Sequence, residues 1–355
     1  MAKTIYKRTY KNGDVYEGPL VNDLPTPEGK YTFANGDVYV GEYDACEYPS
    51  GRGKIRFANG DSYVGQFSMG KPHGSGTYTF ANGDVYVGDM KKCLFHGYGK
   101  YYSGGELYYK GYWRRDAKCG NGVLFYDDGR QFDGFFINDK RYGRGTMIFP
   151  DDYEYEKFDG FYFNDKAFWG TDYRRDGLTY RGFFKNGMRE GRGKITDVDG
   201  YTIKGYFDDD KIVTSRKATV VYPDGESYTG THTPDGYLLR GKYTYSDGEY
   251  YDGDWKDGKY HGYGTYKYKN GDKYVGNWEN NHPNGQGTMY YSNGDKYVGC
   301  WKNGKRFGKH DYYWSNGDVC KGGMRYSDGT ASGIVTTADG HSYFCRWDKD
   351  GKVIK

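Results

Sequence analysis

The sequence predicts an all-β fold, an elongated repeat solenoid of about fifteen antiparallel β-hairpins in a single sheet. Three observations predict it. The first is a period. Tyr251, Gly253, Trp255, Gly262 and Gly264 recur 23 residues later as Tyr274, Gly276, Trp278, Gly285 and Gly287, and recur again in part as Tyr297, Gly299 and Trp301. A fixed step of this size marks an array whose units bury their apolar faces against one another. The second is composition. A mean hydropathy of −1.00 and an apolar share of 36% are too low for an ordinary core, while 44 Tyr and 19 Phe are too many for a disordered chain. The third is punctuation. Asn-Gly at 35–36, 59–60, 82–83, 270–271, 293–294 and 316–317 closes one end of the units. Asn-Gly between strands reads as a type I′ hairpin turn, with positive φ at both central residues.

Aligned on the glycine of Tyr-x-Gly, the units fall at Gly18, Gly41, Gly65, Gly88, Gly111, Gly134, Gly160, Gly182, Gly205, Gly230, Gly253, Gly276, Gly299 and Gly322, and Cys345 holds the place in the last. These 15 units make residues 1–355 a single array with no room for a second domain. Residues 1–145 are regular. Steps vary from 146 to 245, through Phe168-Trp169-Gly170-Thr171 and Val213-Thr214-Ser215-Arg216, and a bend is expected there. Regularity returns over 246–322, and 323–355 read as a degenerate terminal unit or cap. At about 9.6 Å of rise for two strands, the array would extend roughly 140 Å.

Within a unit, alternation puts Tyr86, Gly88 and Met90 on one face of one strand, and Gly74, Gly76, Tyr78 and Phe80 on one face of the other. Glycine weakens a strand unless something must approach its backbone. Here both glycines of Gly-x-Gly share the face of the aromatics, so rings are expected to lie over bare backbone.

Composition also excludes function classes. A formal net charge of +3 implies no general attraction to nucleic acid. The start, MAKTIYKRTYKNGD, has no apolar signal core, no run approaches a membrane span, and neither Ala2 nor the KVIK tail is a lipidation signal, so a cytoplasmic location is expected. The six cysteines show no CxxC, and reduced thiols are expected. His73, His96 and His261 precede Gly-x-Gly as repeat residues. The sequence holds no nucleophile elbow, phosphate loop or zinc motif, so no enzyme and no cofactor is expected. A secreted choline-binding array also repeats Gly, Tyr and Trp, but with a different repeat length and a secretion signal.

The units Gly253-Asp254-Trp255 with Gly262-Tyr263-Gly264, and those at Gly276 and Gly88, resemble the MORN (membrane occupation and recognition nexus) repeat, close to YxGxWxxGxxxGxGxxxxxxGD. The resemblance covers essentially the whole chain. It implies an elongated, twisted sheet of hairpins with an aromatic-lined groove. A chain made only of such repeats resembles the MORN-repeat cytoskeletal scaffolds of apicomplexan and trypanosomatid protists, and secondly the axonemal and ciliary MORN proteins. The resemblance thus implies a non-catalytic scaffold in a cytoskeletal or ciliary assembly, with protein partners and a homodimer through the C-terminal repeats. The alternative is a phosphoinositide-binding adaptor between membrane and cytoskeleton.

Three sets of site residues follow. Tyr251, Trp255, Tyr274, Trp278, Tyr297 and Trp301 have two candidate roles, as core or as a groove that stacks on a partner. Lys302, Lys305, Arg306 and Lys309, with His310 beside them, form the densest basic cluster and could meet anionic phospholipid headgroups. Arg114, Arg115 and Lys118 form a second cluster. Cys300, Cys320, Cys345, His310 and His341 crowd the last units, a candidate metal or crosslink site between chains. Cys320 and Cys345 sit on equivalent strands about 9.6 Å apart, beyond the reach of a disulfide within one chain.

Overall fold

The computed structural model describes residues 4–233 and 237–354. The described residues form strands and turns without a helix. The chain divides into two compact units, Met1–Asp176 with Phe184–Gly187, and Gly177–Phe183 with Met188–Lys355. Each is an open antiparallel sheet of successive hairpins, the architecture expected. In the first, Tyr6–Thr9 is an edge strand on Val15–Gly18, and farther along Val85–Lys91 lies between Lys71–Thr79 and Leu94–Ser103. In the second, Tyr250–Lys256 lies between Leu238–Thr244 and Lys259–Lys267. That unit ends on the edge strand Ser342–Trp347, against which Val353 makes one bridge to Trp347.

The register explains the repeat. Gly253 faces Gly264, and Gly264 faces Gly276, while Tyr251 faces Tyr266, which faces Tyr274. A Cβ on Gly253 would come within 2.5 Å of the Tyr251 hydroxyl oxygen, and one on Gly264 within 2.6 Å of Cζ of the same ring. The ring thus lies over the bare backbone of two adjacent strands. Tyr63 does the same over Gly65 and Gly76, and Tyr86 over Gly88 and Gly99. Each ring is completely buried, and its hydroxyl donates to the carbonyl three residues on, at 2.9 Å from Tyr251 to Asp254 and 2.7 Å from Tyr86 to Asp89. In one repeat that lacks a ring, the second glycine is released. Ile203 stands before Gly205, and Ala218 occupies the facing position.

The first glycine of Gly-x-Gly has a different reason from the one expected. The pairing jumps from Gly253/Gly264 to Asp254/His261, so Gly262 and Tyr263 form a bulge. Gly262 has φ +59°, and Gly74 and Gly97 take φ +69° and +60° at the same place. That left-handed backbone, not ring packing, calls for glycine.

The turns also differ from expectation. At Asn82-Gly83 only Gly83 has positive φ, at +93°. Gly83 N–H donates to Phe80 at 3.0 Å and Phe80 N–H to Asp84 at 2.9 Å, the three-residue loop of a type I turn followed by a left-handed residue. The turns with two positive central residues sit at the opposite end of the hairpins, at Asp257-Gly258 (φ +50°, +71°), Asn138-Asp139 (+47°, +67°) and Asn280-Asn281 (+50°, +68°).

The aspartate that follows each Asn-Gly links one repeat to the next. Asp84 accepts from Tyr101 at 2.9 Å and from Gly104 N–H at 3.2 Å; Asp61 accepts from Tyr78 at 2.6 Å and Ala81 N–H at 2.8 Å. Asp295 repeats this with Tyr312 at 2.9 Å and Ser315 N–H at 2.8 Å. The tyrosine hydroxyl bond is the largest cause holding Asp61 and Asp84 below the ordinary carboxylate range. In return, burial and then the Asp84 bond push Tyr101 up to about 12.

Two expected outcomes follow. Gly264→Val forces a ring off its backbone seat and should cost about 1–3 kcal/mol in denaturant unfolding; an unchanged midpoint would refute the packing. Gly262→Ala should also destabilise, by about 1–2 kcal/mol, through left-handed backbone strain, with the new Cβ also pressed to 2.8 Å from Asp254 Oδ2. The depressed aspartates set an acid limit. The unfolded chain takes up their protons first, so their contribution is full above the ordinary Asp pKa of about 3.9 and is lost as pH falls through the lower folded values. Asp61→Asn should therefore be less stable than wild type at neutral pH, with the gap closing in strong acid. A gap of the same size at both pH values counts against the charged link.

Candidate functional site

The ring-over-glycine register settles where the six groove candidates lie. Tyr251, Tyr274 and Tyr297 are 0% exposed, and Trp255, Trp278 and Trp301 are 4–8% exposed. They form the core of the second unit. Trp255 Nε1 donates to Gly241 O and Trp278 Nε1 to Gly264 O, both at 3.2 Å. Trp113 donates to Gly99 O at 3.4 Å in the first unit. Trp301 Nε1 is buried with no partner.

The opposite face carries what a partner could touch. The residue after the signature glycine points there. In several repeats it is polar and takes up a bulge N–H: Arg52 N–H donates to Glu42 at 3.0 Å, Ser75 N–H to Gln66 at 3.0 Å, and Tyr263 N–H to Asp254 at 3.3 Å. In the first unit the same position becomes Tyr112, Phe135 and Phe161, all exposed. Tyr98 faces Tyr112, with ring centroids 5.6 Å apart, and Phe161 has Trp169 at 5.9 Å. These rings lie outside the signature positions that define the repeat. Their signal was an aromatic at a place that alternation assigns to solvent.

The basic cluster is partly assembled. Lys302, Lys305 and Arg306 line a cleft of about 680 Å³ together with Arg325 and Lys349, with Trp301, Phe307 and Tyr326 as apolar walls. Lys309 does not line it. It belongs to strand Lys305–Tyr313, forms the bulge there with Gly308, and faces Met324. The second cluster also divides. Arg114 and Arg115 join Lys91 and Lys92 around a cavity of about 670 Å³, whereas Lys118 pairs with Asp139 at 3.8 Å and lies over Tyr109.

The cysteines and histidines separate by face. Cys320 and Cys345 are buried in one small cluster with Val335, and buried His310 lines a cavity with Cys320. Cys300 lies on the outer face, where Gln286 Nε2 approaches its sulfur at 3.0 Å. His341 is exposed and pairs with Asp339 at 3.2 Å. Burial raises the Cys320 thiol pKa and lowers that of His310. Among the described residues, the one acidic, thiol or imidazole group compact enough to hold a metal ion is Glu190, Asp208 and Asp209, elsewhere in the chain.

An open antiparallel sheet of 23-residue hairpins, cored by tyrosines over paired glycines, defines a β-hairpin repeat protein. The chain belongs to the MORN-repeat family: residues 16–38, 48–62, 63–85, 109–129, 132–152, 180–200, 251–273, 274–296 and 297–319 match the MORN repeat. No curated protein matches it. Solved structures similar to parts of it include the SAS-4 (dCPAP) TCP domain of Drosophila melanogaster in complex with a proline-rich motif of Ana2, at 13% identity over 43% of this chain and 83% of that one, with a TM-score of 0.29. A mutant TCP10 domain of Danio rerio CPAP is 14% identical over 92% and 96% of the two chains, with a TM-score of 0.15. At these scores neither likeness bears on function.

Anions approaching the cleft should feel its cations before any single contact forms. Lys302→Glu with Lys305→Glu is expected to leave the unfolding midpoint near wild type while abolishing retention on a cation-exchange resin at moderate salt. Unchanged retention would show that the cleft does not govern the surface charge of that unit.

Proposed function

We propose that this chain is a non-catalytic scaffold that holds other proteins together in a cytoskeletal or ciliary assembly, in the manner of the protist MORN-repeat scaffolds. The observation that carries the reading is the division of labour between faces. One face is spent on a core repeated with little change, while the other varies from Glu42, Gln66 and Asp89 to Tyr112, Phe135 and Phe161 without cost to the core. Exposed aromatics of this kind dominate interface energetics. MORN repeats in general serve protein or membrane interaction, which agrees with the reading. On it, the protein is cytoplasmic and attached to cytoskeleton, and a second copy pairs through the C-terminal edge strand Ser342–Trp347, on which Tyr343 and Phe344 are exposed.

The experiment is proximity labelling in the native cell with wild type and with Phe135→Ser plus Phe161→Ser. The wild-type chain should label cytoskeletal or axonemal proteins, and the double variant should lose them while its circular dichroism melt stays the same. Labelling dominated by unrelated soluble enzymes would end the scaffold reading.

A second reading, a phosphoinositide-binding adaptor, is favoured by the cleft at Lys302, Lys305, Arg306, Arg325 and Lys349, where five cations meet the lone acid Asp328. Each cation near an anionic surface contributes about 1 kcal/mol. Co-sedimentation with vesicles containing phosphatidylinositol bisphosphate tests it. Retention lost on Lys302→Glu with Lys305→Glu supports it, and wild-type protein left in the supernatant removes it.

A further inference from the structure

The repeat register assigns every core slot, so substitutions in those slots can be read directly. Trp278 faces Gly262 and Trp301 faces Gly285; in the next unit Arg325 faces Gly308. Arg325 therefore occupies the tryptophan slot. The extra residue of Gly322-Gly323, with φ +63° at Gly322, shifts the strand so that Met324 is exposed and Arg325 turns inward. Tyr260 faces Trp255 and Pro283 faces Trp278; Arg306 faces Trp301. Arg306 thus occupies an aromatic or proline slot. Where Gly264 and Gly287 face a signature glycine, His310 faces Gly299, and its ring stacks on Tyr297 with centroids 5.2 Å apart.

Three apolar or glycine slots around one point of the core have become two arginines and a histidine. They line a half-open pocket of about 220 Å³, walled by Tyr297, Tyr312 and Trp314. Burial and then the like charge of Arg306 lower the Arg325 pKa, and the Arg306 guanidinium lies 5.4 Å over the Tyr297 ring. Both arginines are half-buried, and the one acid lining the adjoining cleft is Asp328; two such like charges side by side are costly unless an anion joins them.

We propose that Arg306 and Arg325 form a binding site for a phosphomonoester group in this cavity. The guanidinium fork matches phosphate oxygens two at a time. A phosphomonoester carries about −1.5 to −2 charge at neutral pH and so balances both arginines, which one carboxylate does not. The cavity admits a single small anionic group rather than a folded partner, and its aromatic walls suit the organic part attached to it. The site shares both arginines with the membrane cleft but does not rest on that reading, since a soluble phosphate needs no membrane: the phosphate can belong to a free metabolite or to a lipid headgroup.

The full chain is titrated with inorganic phosphate, soluble inositol trisphosphate and acetate, by calorimetry and by tryptophan fluorescence, since Trp314 lies at the wall. It is also spun with phosphatidylcholine vesicles with and without phosphatidylinositol bisphosphate. Saturable binding of a phosphate probe, absent with acetate, is expected. Binding of inorganic phosphate without vesicle retention assigns a free source, and inositol trisphosphate binding with vesicle retention assigns a headgroup. Arg325→Trp restores the tryptophan of the neighbouring repeats. It should raise the melting temperature in phosphate-free buffer and weaken phosphate binding about tenfold or more. Arg325→Gln, which adds no bulk, should weaken binding as much and serves if the tryptophan does not fit. No saturable binding of either soluble phosphate, acetate binding as tightly, or both Arg325 variants binding like wild type would each overturn the proposal.

Discussion

An aromatic ring, usually tyrosine, laid across two glycines on neighbouring strands is the contact on which the regular repeats depend. It fills the space of two absent side chains, so a sheet with no second layer behind it can still bury a large aromatic completely. Burying such a ring contributes about 1.5–3 kcal/mol. Its hydroxyl is satisfied within the same strand, by the carbonyl of Asp254 for Tyr251 and of Asp89 for Tyr86, so burial leaves no polar atom stranded. The contact also joins the signature strand to the strand after it. Repetition then couples nearest neighbours only, as expected for a solenoid.

The rest of the repeat serves that contact. The bulge at Gly262 brings Tyr260 round to stack on Tyr251, with centroids 4.0 Å apart, and Trp255 and Trp278 pack edgewise around the pair. Asp84 and its counterparts fix the spacing at the loop end, while Asp116, Asp139 and Asn281 accept strand N–H groups at the turn end. Both ends of the hairpins are held by side chains, and the outer face is left free to change.

Much of this was legible in the sequence, because a ring and the glycines it covers stand at constant offsets. Tyr251, Gly253 and Gly264 could be placed on one face from alternation alone. What could not be read were features that depend on local backbone rather than on pattern. Gly262 and Gly264 look alike in the sequence, yet one sits in a left-handed bulge and the other under a ring. Asn82-Gly83 carries the usual residues of a type I′ turn, but Ala81 joins the loop and turns it into a three-residue connection. The site residues divided for the same reason. Lys309 follows Arg306 closely in the chain, but the bulge at Gly308 separates them, while Arg325 and Lys349 reach the cleft from later repeats.

Departures from the repeat carry more information than agreement with it. Ala218 in place of a glycine is explained by the loss of the ring that needed the space, since Ile203 stands where the tyrosine would be. That exchange is self-consistent: one apolar packing replaces another. The exchange at Arg306, His310 and Arg325 is not. Cys320, in a tyrosine slot, lacks the ring that would cover Gly323 and Gly333, and the space left beside it holds charge rather than hydrocarbon. A core that had merely decayed at the end of an array would lose apolar area and admit water. It would have no reason to place two guanidiniums in successive inward slots of adjoining repeats, and Arg325 reaches its slot only because an added glycine turns it inward.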